Sequence, residues 1–205
     1  MSEPRIPPRP KDDWDAEVDE ALEALRSPGS TRKPGEPRRE RPSSNILGTF
    51  FWHPALAKAW FSFNNHLGYS TLAARDREMV TVRIGWLRRG EYEWAQHLRI
   101  AKLAGLSEEE LDAIMAGPDS PVWGPRDAAL LRSVDEIAAD HYVSDETWQL
   151  LSKDFDRKQL MDLVFTIGAY DLLAMAMNTF GLQLDPGLPE FPPQDPAGSA
   201  HPADS

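Results

Sequence analysis

The chain has 205 residues, 22 Lys and Arg against 33 Asp and Glu, a net charge of −11 at pH 7, and no cysteine. That length suits one domain, and an acidic surface of this size repels phosphate backbones and anionic lipid, which argues against nucleic-acid and membrane partners. Without cysteine there are no disulfides, no thiolate metal ligands and no sulfur nucleophile.

Prolines divide the chain. Eight of 18 fall in residues 1–43 and six in residues 185–205, leaving four in the 141 residues between. Proline interrupts helices and strand ladders. This pattern predicts a flexible, charged arm over 1–43, a single regular domain over 44–184 and a flexible tail over 185–205. No apolar run follows the basic residues at the start, so neither a secretory signal nor a membrane span is expected there, and a cytoplasmic protein is. Within the arm, Trp14, Val18, Leu22 and Leu25 repeat at helical spacing. They predict a short helix over 12–25, either solvated or docked on a neighbouring subunit. Residues 28–43 read as linker.

The domain reads as helix throughout, and the expected fold class is all-α. A first helix starts at Pro54, a residue suited to a first turn, and runs to Leu67 before Gly68. The next spans Leu72 to Arg89, and a third follows Gly90 and ends at Ala104, with Gly105 as its C-terminal cap. Ser107 and Glu110 form a capping box for a short helix to Ala116. Further helices are expected over Arg126–His141, from Asp145, and from the Asp156/Gln159 cap through Phe180 to Gly181. This last helix is apolar almost all round, which predicts burial on most sides. Its polar residues Asp162, Thr166, Tyr170 and Asn178 fall on one i+4 stripe.

The densest chemistry lies in residues 72–111. Glu93 and His97 are four apart on one helix and share a face. Antiparallel packing of the preceding helix would carry Glu78 back towards His97 and bring Arg83 near, with Trp94 and Trp86 as walls. Two carboxylates, an imidazole and a guanidinium suit proton transfer. The imidazole titrates near neutrality, a carboxylate holds its tautomer, a desolvated second carboxyl can act as an acid, and an arginine orients an anionic substrate. By spacing alone, Glu93 and His97 could equally be an idle surface pair. A metal is not expected, because the His and Glu spacing matches no zinc or di-iron pattern.

This segment resembles the carboxymuconolactone decarboxylase and alkylhydroperoxidase D superfamily. The redox branch of that superfamily carries a glutamate, eleven residues, then Cys-x-x-Cys-x-x-x-His. Here Glu78, Gly90, Glu93 and His97 stand at the same spacing, with Tyr92 between the two cysteine positions. The proton-relay positions are kept and both cysteines are replaced, so thiol peroxidase chemistry, which needs an attacking and a resolving thiolate, is excluded. The resemblance implies the cysteine-free branch: a lyase-like, cofactor-independent acid–base enzyme acting on a small carboxylate or lactone. His97, Glu93 and Glu78 would be catalytic. Arg83, with Arg99 as an alternative, and Trp94, Tyr92, Tyr170 and Asn178 would contact substrate. It also implies a homo-oligomer, trimeric or hexameric. The alternative is a non-catalytic oligomer that binds a ligand or a protein.

Overall fold

A computed structural model describes residues 3–25 and 44–193. Among these residues there is no strand, and nine α-helices follow in order: α1 (Ala16–Glu23), α2 (Asn45–Phe50), α3 (Pro54–Gly68), α4 (Ala74–Leu87), α5 (Glu91–Leu103), α6 (Glu108–Ala116), α7 (Pro125–Asp140), α8 (Asp145–Leu151) and α9 (Arg157–Phe180). The boundaries follow local chemistry. Pro54 opens α3, where its missing N–H costs nothing. Capping boxes at Ser107/Glu110 and Asp156/Gln159 open α6 and α9. Gly181, at φ 71°, closes α9 in the left-handed region. The short α2, capped by Ser44, has no counterpart among the expected helices.

The enclosed helix is α4, not α9. It packs against α5, α6, α7 and α9, and its residues from Glu78 to Gly85 are all buried. α9 instead has two apolar faces. Leu160, Leu163, Ile167, Leu173 and Met177 enter the core, while Met161, Phe165, Leu172 and Met175 are more than half exposed. α9 is also the one helix among the described residues long and apolar enough to cross a membrane, and half of its most apolar window is buried inside the fold.

The proline-rich ends differ from expectation. Residues 3–25 are not a free arm. The amides of Arg5 and Ile6 donate to the Phe180 carbonyl at the end of α9, at 2.8 and 3.2 Å. Trp14, Val18 and Ala21 form a small second core with Phe51, Ala57 and Phe61 of the same chain, where Trp14 meets Phe51 edge-on at 4.6 Å. An extended segment needs no helix to dock: its backbone donors satisfy carbonyls left over at a helix end, and its aromatic ring supplies the apolar area. The start of the tail is likewise seated. Asp185 accepts from the Asn45 amide at 2.8 Å, and Phe191 packs on Trp86 and Trp94. The linker 28–43 and the tail beyond residue 193 lie outside the described residues.

Candidate functional site

The α4–α5 connection sets the site. The Gly90 amide donates to the Gly85 carbonyl at 2.8 Å, a tight reversal that lays α5 back along α4. Gly90 is needed because of close approach: a Cβ there would lie 3.1 Å from the Ala174 Cβ and 3.4 Å from Glu93 Oε2. With α5 laid back, Glu78 of α4 and His97 of α5 meet at 2.7 Å, Oε2 to Nδ1. The Glu78 side chain is 2% exposed and that of His97 13%. Arg77 donates from Nε to Glu78 Oε1 at 3.1 Å, so the carboxylate is bridged between a guanidinium and an imidazole. A carboxylate can only accept; Nδ1 therefore carries the proton, and the Nε2 lone pair faces away from Glu78. The Tyr170 ring of α9 meets the imidazole edge-on at 4.8 Å.

Glu93 behaves differently from its place on the helix. It does not pair with His97. It is buried, and neither carboxyl oxygen has a hydrogen-bond partner among the described residues. Burial, reinforced by the negative charge of Asp171, holds its pKa well above the usual carboxylate range, which favours the protonated form. Tyr170 is also pushed up, first by burial and then by the charges of Glu78 and Glu93. Thr81 and Thr166 hydroxyls are buried without partners as well. The interface of α4, α5 and α9 is thus a polar seam inside an apolar core, with hydrogen-bonding capacity left unused.

The other expected site residues go elsewhere. Arg83 points away from His97. Its guanidinium is held by Asp135 at 2.7 and 2.8 Å and donates to the carbonyls of Ile114 and Met115 at 3.0 and 2.7 Å. It closes the C-terminal end of α6, lying over Gly117, which adopts φ 112° and has no side chain in the way. The reason is rotational. Five residues on an α-helix turn through about 500°, so Arg83 and Glu78 leave α4 in different directions. Arg99, the alternative, is exposed. Trp94 joins Trp86 and Phe191 in an aromatic cluster. Tyr92 and Asn178 line a cavity of about 390 Å³ with Glu91, Leu182 and Leu184, and its lining contains neither Glu78, Glu93 nor His97. There the Tyr92 hydroxyl donates to Asp185 at 2.5 Å, its pKa pushed up to about 12 by burial and by that carboxylate. Asn178 is spoken for as well, donating to the Arg88 carbonyl at the end of α4 at 2.9 Å.

Arg77 was missed by sequence reasoning. Its adjacency to Glu78 was the available signal, but neighbouring residues on a helix do not ordinarily face each other. Arg88 was missed too. It pairs with Asp171 at 2.6 Å and so fixes the charge beside Glu93. No group of three His, Asp or Glu side chains converges as a metal site would require among the described residues.

Comparison with known proteins agrees with this architecture. Residues 54–136 match the model of the carboxymuconolactone decarboxylase family. Among solved structures, a protein of unknown function from Agrobacterium tumefaciens, proposed as the antioxidant defence protein AhpD, is 22% identical, with TM-score 0.62 over 66% of this chain and 94% of its own. The AhpD core of an uncharacterised peroxidase-related protein from Ralstonia eutropha is 19% identical, with TM-score 0.62 over 69% of this chain and 76% of its own. The debrominase Bmp8, solved as a cysteine-to-alanine variant with 2,3,4-tribromopyrrole, is 12% identical, with TM-score 0.67 over 88% of this chain and 91% of its own. No curated protein matches the chain in sequence.

Proposed function

We propose that this chain, whose residues 54–136 match the model of the carboxymuconolactone decarboxylase family on an AhpD-like all-α fold, is a cofactor-independent acid–base enzyme for a small carboxylate or lactone. The observation that carries the reading is the buried Glu78–His97 pair at 2.7 Å. Glu78 fixes the imidazole tautomer and stabilises the imidazolium formed when Nε2 accepts a proton. Nε2 has no partner among the described residues and remains available for that transfer. Glu93 holds a proton in reserve one helical turn away, and Tyr170 keeps its hydroxyl proton for donation. In a decarboxylation, the bond from ring carbon to carboxylate breaks and CO2 leaves. The electron pair spreads into the unsaturated carbonyl system, and protonated His97 returns a proton to carbon. Isomerisation and lactone opening use the same proton movements. Because Arg83 and Arg88 are held by Asp135 and Asp171, recognition rests on hydrogen bonds to a lactone or carbonyl oxygen more than on an arginine clamp. Thiol peroxidase chemistry is excluded by the lack of cysteine in this chain.

The same reading has the protein act in the cytoplasm as a homo-oligomer, trimeric or hexameric. The support is the exposed apolar face of α9, since such faces on globular proteins mark interfaces. A second reading, a non-catalytic ligand-binding protein, draws on the 390 Å³ cavity lying off the His97 site.

The test is turnover of 4-carboxymuconolactone, followed spectroscopically, by the wild type, His97→Gln and Glu78→Gln. Acid–base catalysis predicts turnover that falls about 100-fold or more in both variants. Equal background rates in all three proteins would withdraw the decarboxylase reading and favour the binding protein.

A further inference from the structure

Arg77 stands behind the Glu78–His97 pair. Its Nε donates to Glu78 Oε1 at 3.1 Å, while Nδ1 of His97 donates to Oε2 of the same carboxylate at 2.7 Å. All three side chains are withdrawn from water, with Arg77 17%, Glu78 2% and His97 13% exposed. Helix geometry does not force the contact between Arg77 and Glu78, since consecutive residues leave a helix about 100° apart. A second bond keeps Arg77 in place: its Nη1 donates to the Gly68 carbonyl at 3.3 Å. Gly68 is the last residue of α3, so the guanidinium sits at the negative end of that helix.

The charges explain why a cation is needed there. A buried carboxylate bonded to an imidazole favours the imidazolium, because protonation makes the pair neutral overall. An imidazolium has no lone pair and accepts no proton. With Arg77 present, guanidinium and carboxylate already cancel, and a neutral imidazole completes an uncharged trio. Protonating His97 then leaves one net positive charge away from water. The other ionisable groups around the pair do not supply this balance. On α5, burial favours the protonated form of Glu93. On α9, Tyr170 is pushed up by burial and by the charges of Glu78 and Glu93, against which the Arg77 charge acts, and Asp171 is paired with Arg88. Asp185 of the C-terminal segment accepts from Tyr92 and Gln96. Among the described residues, Arg77 is the one arginine or lysine bonded to the Glu78 carboxylate.

We infer that Arg77 is a positioning residue that keeps His97 a neutral base, its charge offsetting that of Glu78 while its hydrogen bond aims the carboxylate at Nδ1. Arginine does not give up its proton in proteins, so the offset holds over the whole working pH range. The role of this balance in turnover rests on the acid–base reading, in which Nε2 of His97 must be free to accept a proton. The balance itself is a property of the folded chain and is read on the imidazole.

The test is nitrogen NMR of full-length protein labelled with 15N-histidine at neutral pH, with the His97 signals assigned by their loss in His97→Gln. The ring nitrogen shifts distinguish imidazolium from either neutral tautomer. The wild type is expected to show mainly neutral His97 with the proton on Nδ1. In Arg77→Gln the ratio of imidazolium to neutral imidazole should rise about 10-fold, the effect of removing one charge across a carboxylate in a partly buried site. Arg77→Lys, which keeps the charge, should return it close to the wild-type ratio, while His53 and His66 stay as they are in every variant. Arg77→Met gives the same reading should Arg77→Gln fail to fold. An unchanged or lower ratio without the guanidinium, no rescue by lysine, the same rise at His53 and His66, or an imidazolium in the wild type would each overturn the inference. Since the readout is the ring and not turnover, a wild type inactive on 4-carboxymuconolactone strikes only the acid–base reading, and an imidazole indifferent to Arg77 strikes only this one.

Discussion

Glu78 reaches across from α4 to accept the Nδ1 proton of His97 on α5 at 2.7 Å, whereas Glu93, four residues before His97 on its own helix, has no hydrogen-bond partner among the described residues. The carboxylate paired with the imidazole is therefore the one 19 residues away, and the nearby one is left buried with its pKa raised. The two glutamates thus sit in opposite environments within one seam, one bonded to the imidazole and one buried alone with its carboxyl pKa raised, an arrangement that separates a base-orienting group from a proton store.

Glu93 makes folding pH-dependent with a definite sign. Its folded pKa is raised by burial, so the native state binds more protons than the unfolded state. Stability is then fully present below the unfolded value of 4.5 and falls as pH rises above it towards the folded pKa, by about 1.4 kcal/mol per pH unit. Glu93→Gln, neutral at every pH, removes this loss. Thermal unfolding from pH 4 to pH 8 should show the variant level with the wild type at the acid end and increasingly more stable above it. Parallel curves would mean that Glu93 is ionised in the fold.

Arg83 is a structural residue. Arg83→Met should cost about 2–4 kcal/mol, because it leaves Asp135 unpaired and the Ile114 and Met115 carbonyls without their donor. Denaturant titration measures this. Any turnover should keep its KM, and a raised KM with unchanged stability would restore Arg83 to substrate binding.

The exposed face of α9 predicts assembly. Phe165→Glu and Leu172→Glu place charge on residues 56% and 51% exposed, where a monomer would tolerate it. Light scattering after gel filtration should give a trimeric or hexameric mass for the wild type and a monomeric one for the variants. A monomeric wild type would remove the oligomer.

Trp14 holds the N-terminal segment. Trp14→Ala should weaken that docking by about 3 kcal/mol, the scale of a large-to-small aromatic truncation. Amides of α1 should then exchange with solvent about 100-fold faster while those of α4 stay protected. Unchanged α1 protection would mean that the backbone bonds to Phe180 suffice.

Much of the helical layout was legible in order because its signals are local. Pro54, the Ser107/Glu110 and Asp156/Gln159 boxes, Gly105 and Gly181 each act on the backbone within one turn. The docking of residues 3–25 was not legible. Proline content reports what a segment cannot form by itself, and says nothing of whether Phe51 and Phe61 wait to receive its Trp14. The choice of α4 over α9 as the enclosed helix was hidden for a similar reason: Asp76, Glu78 and Arg83 make α4 look amphipathic until each charge finds its partner, Arg126, His97 and Asp135.

The sequence by itself determined the all-α class, the helix ends, the absence of thiol chemistry, and the spacing that makes Glu78 and His97 candidates for one site. These follow from residue chemistry and from periodicities of a few residues. Only the tertiary structure decided which carboxylate pairs with His97, that Arg83 is spent on α6 and α7, that Tyr92 and Asn178 belong to another cavity, and that Phe191 packs on Trp86 and Trp94. Each of those depends on the rotation of one helix about its axis relative to the next. That rotation is set by the whole packed core, and no local stretch of sequence encodes it.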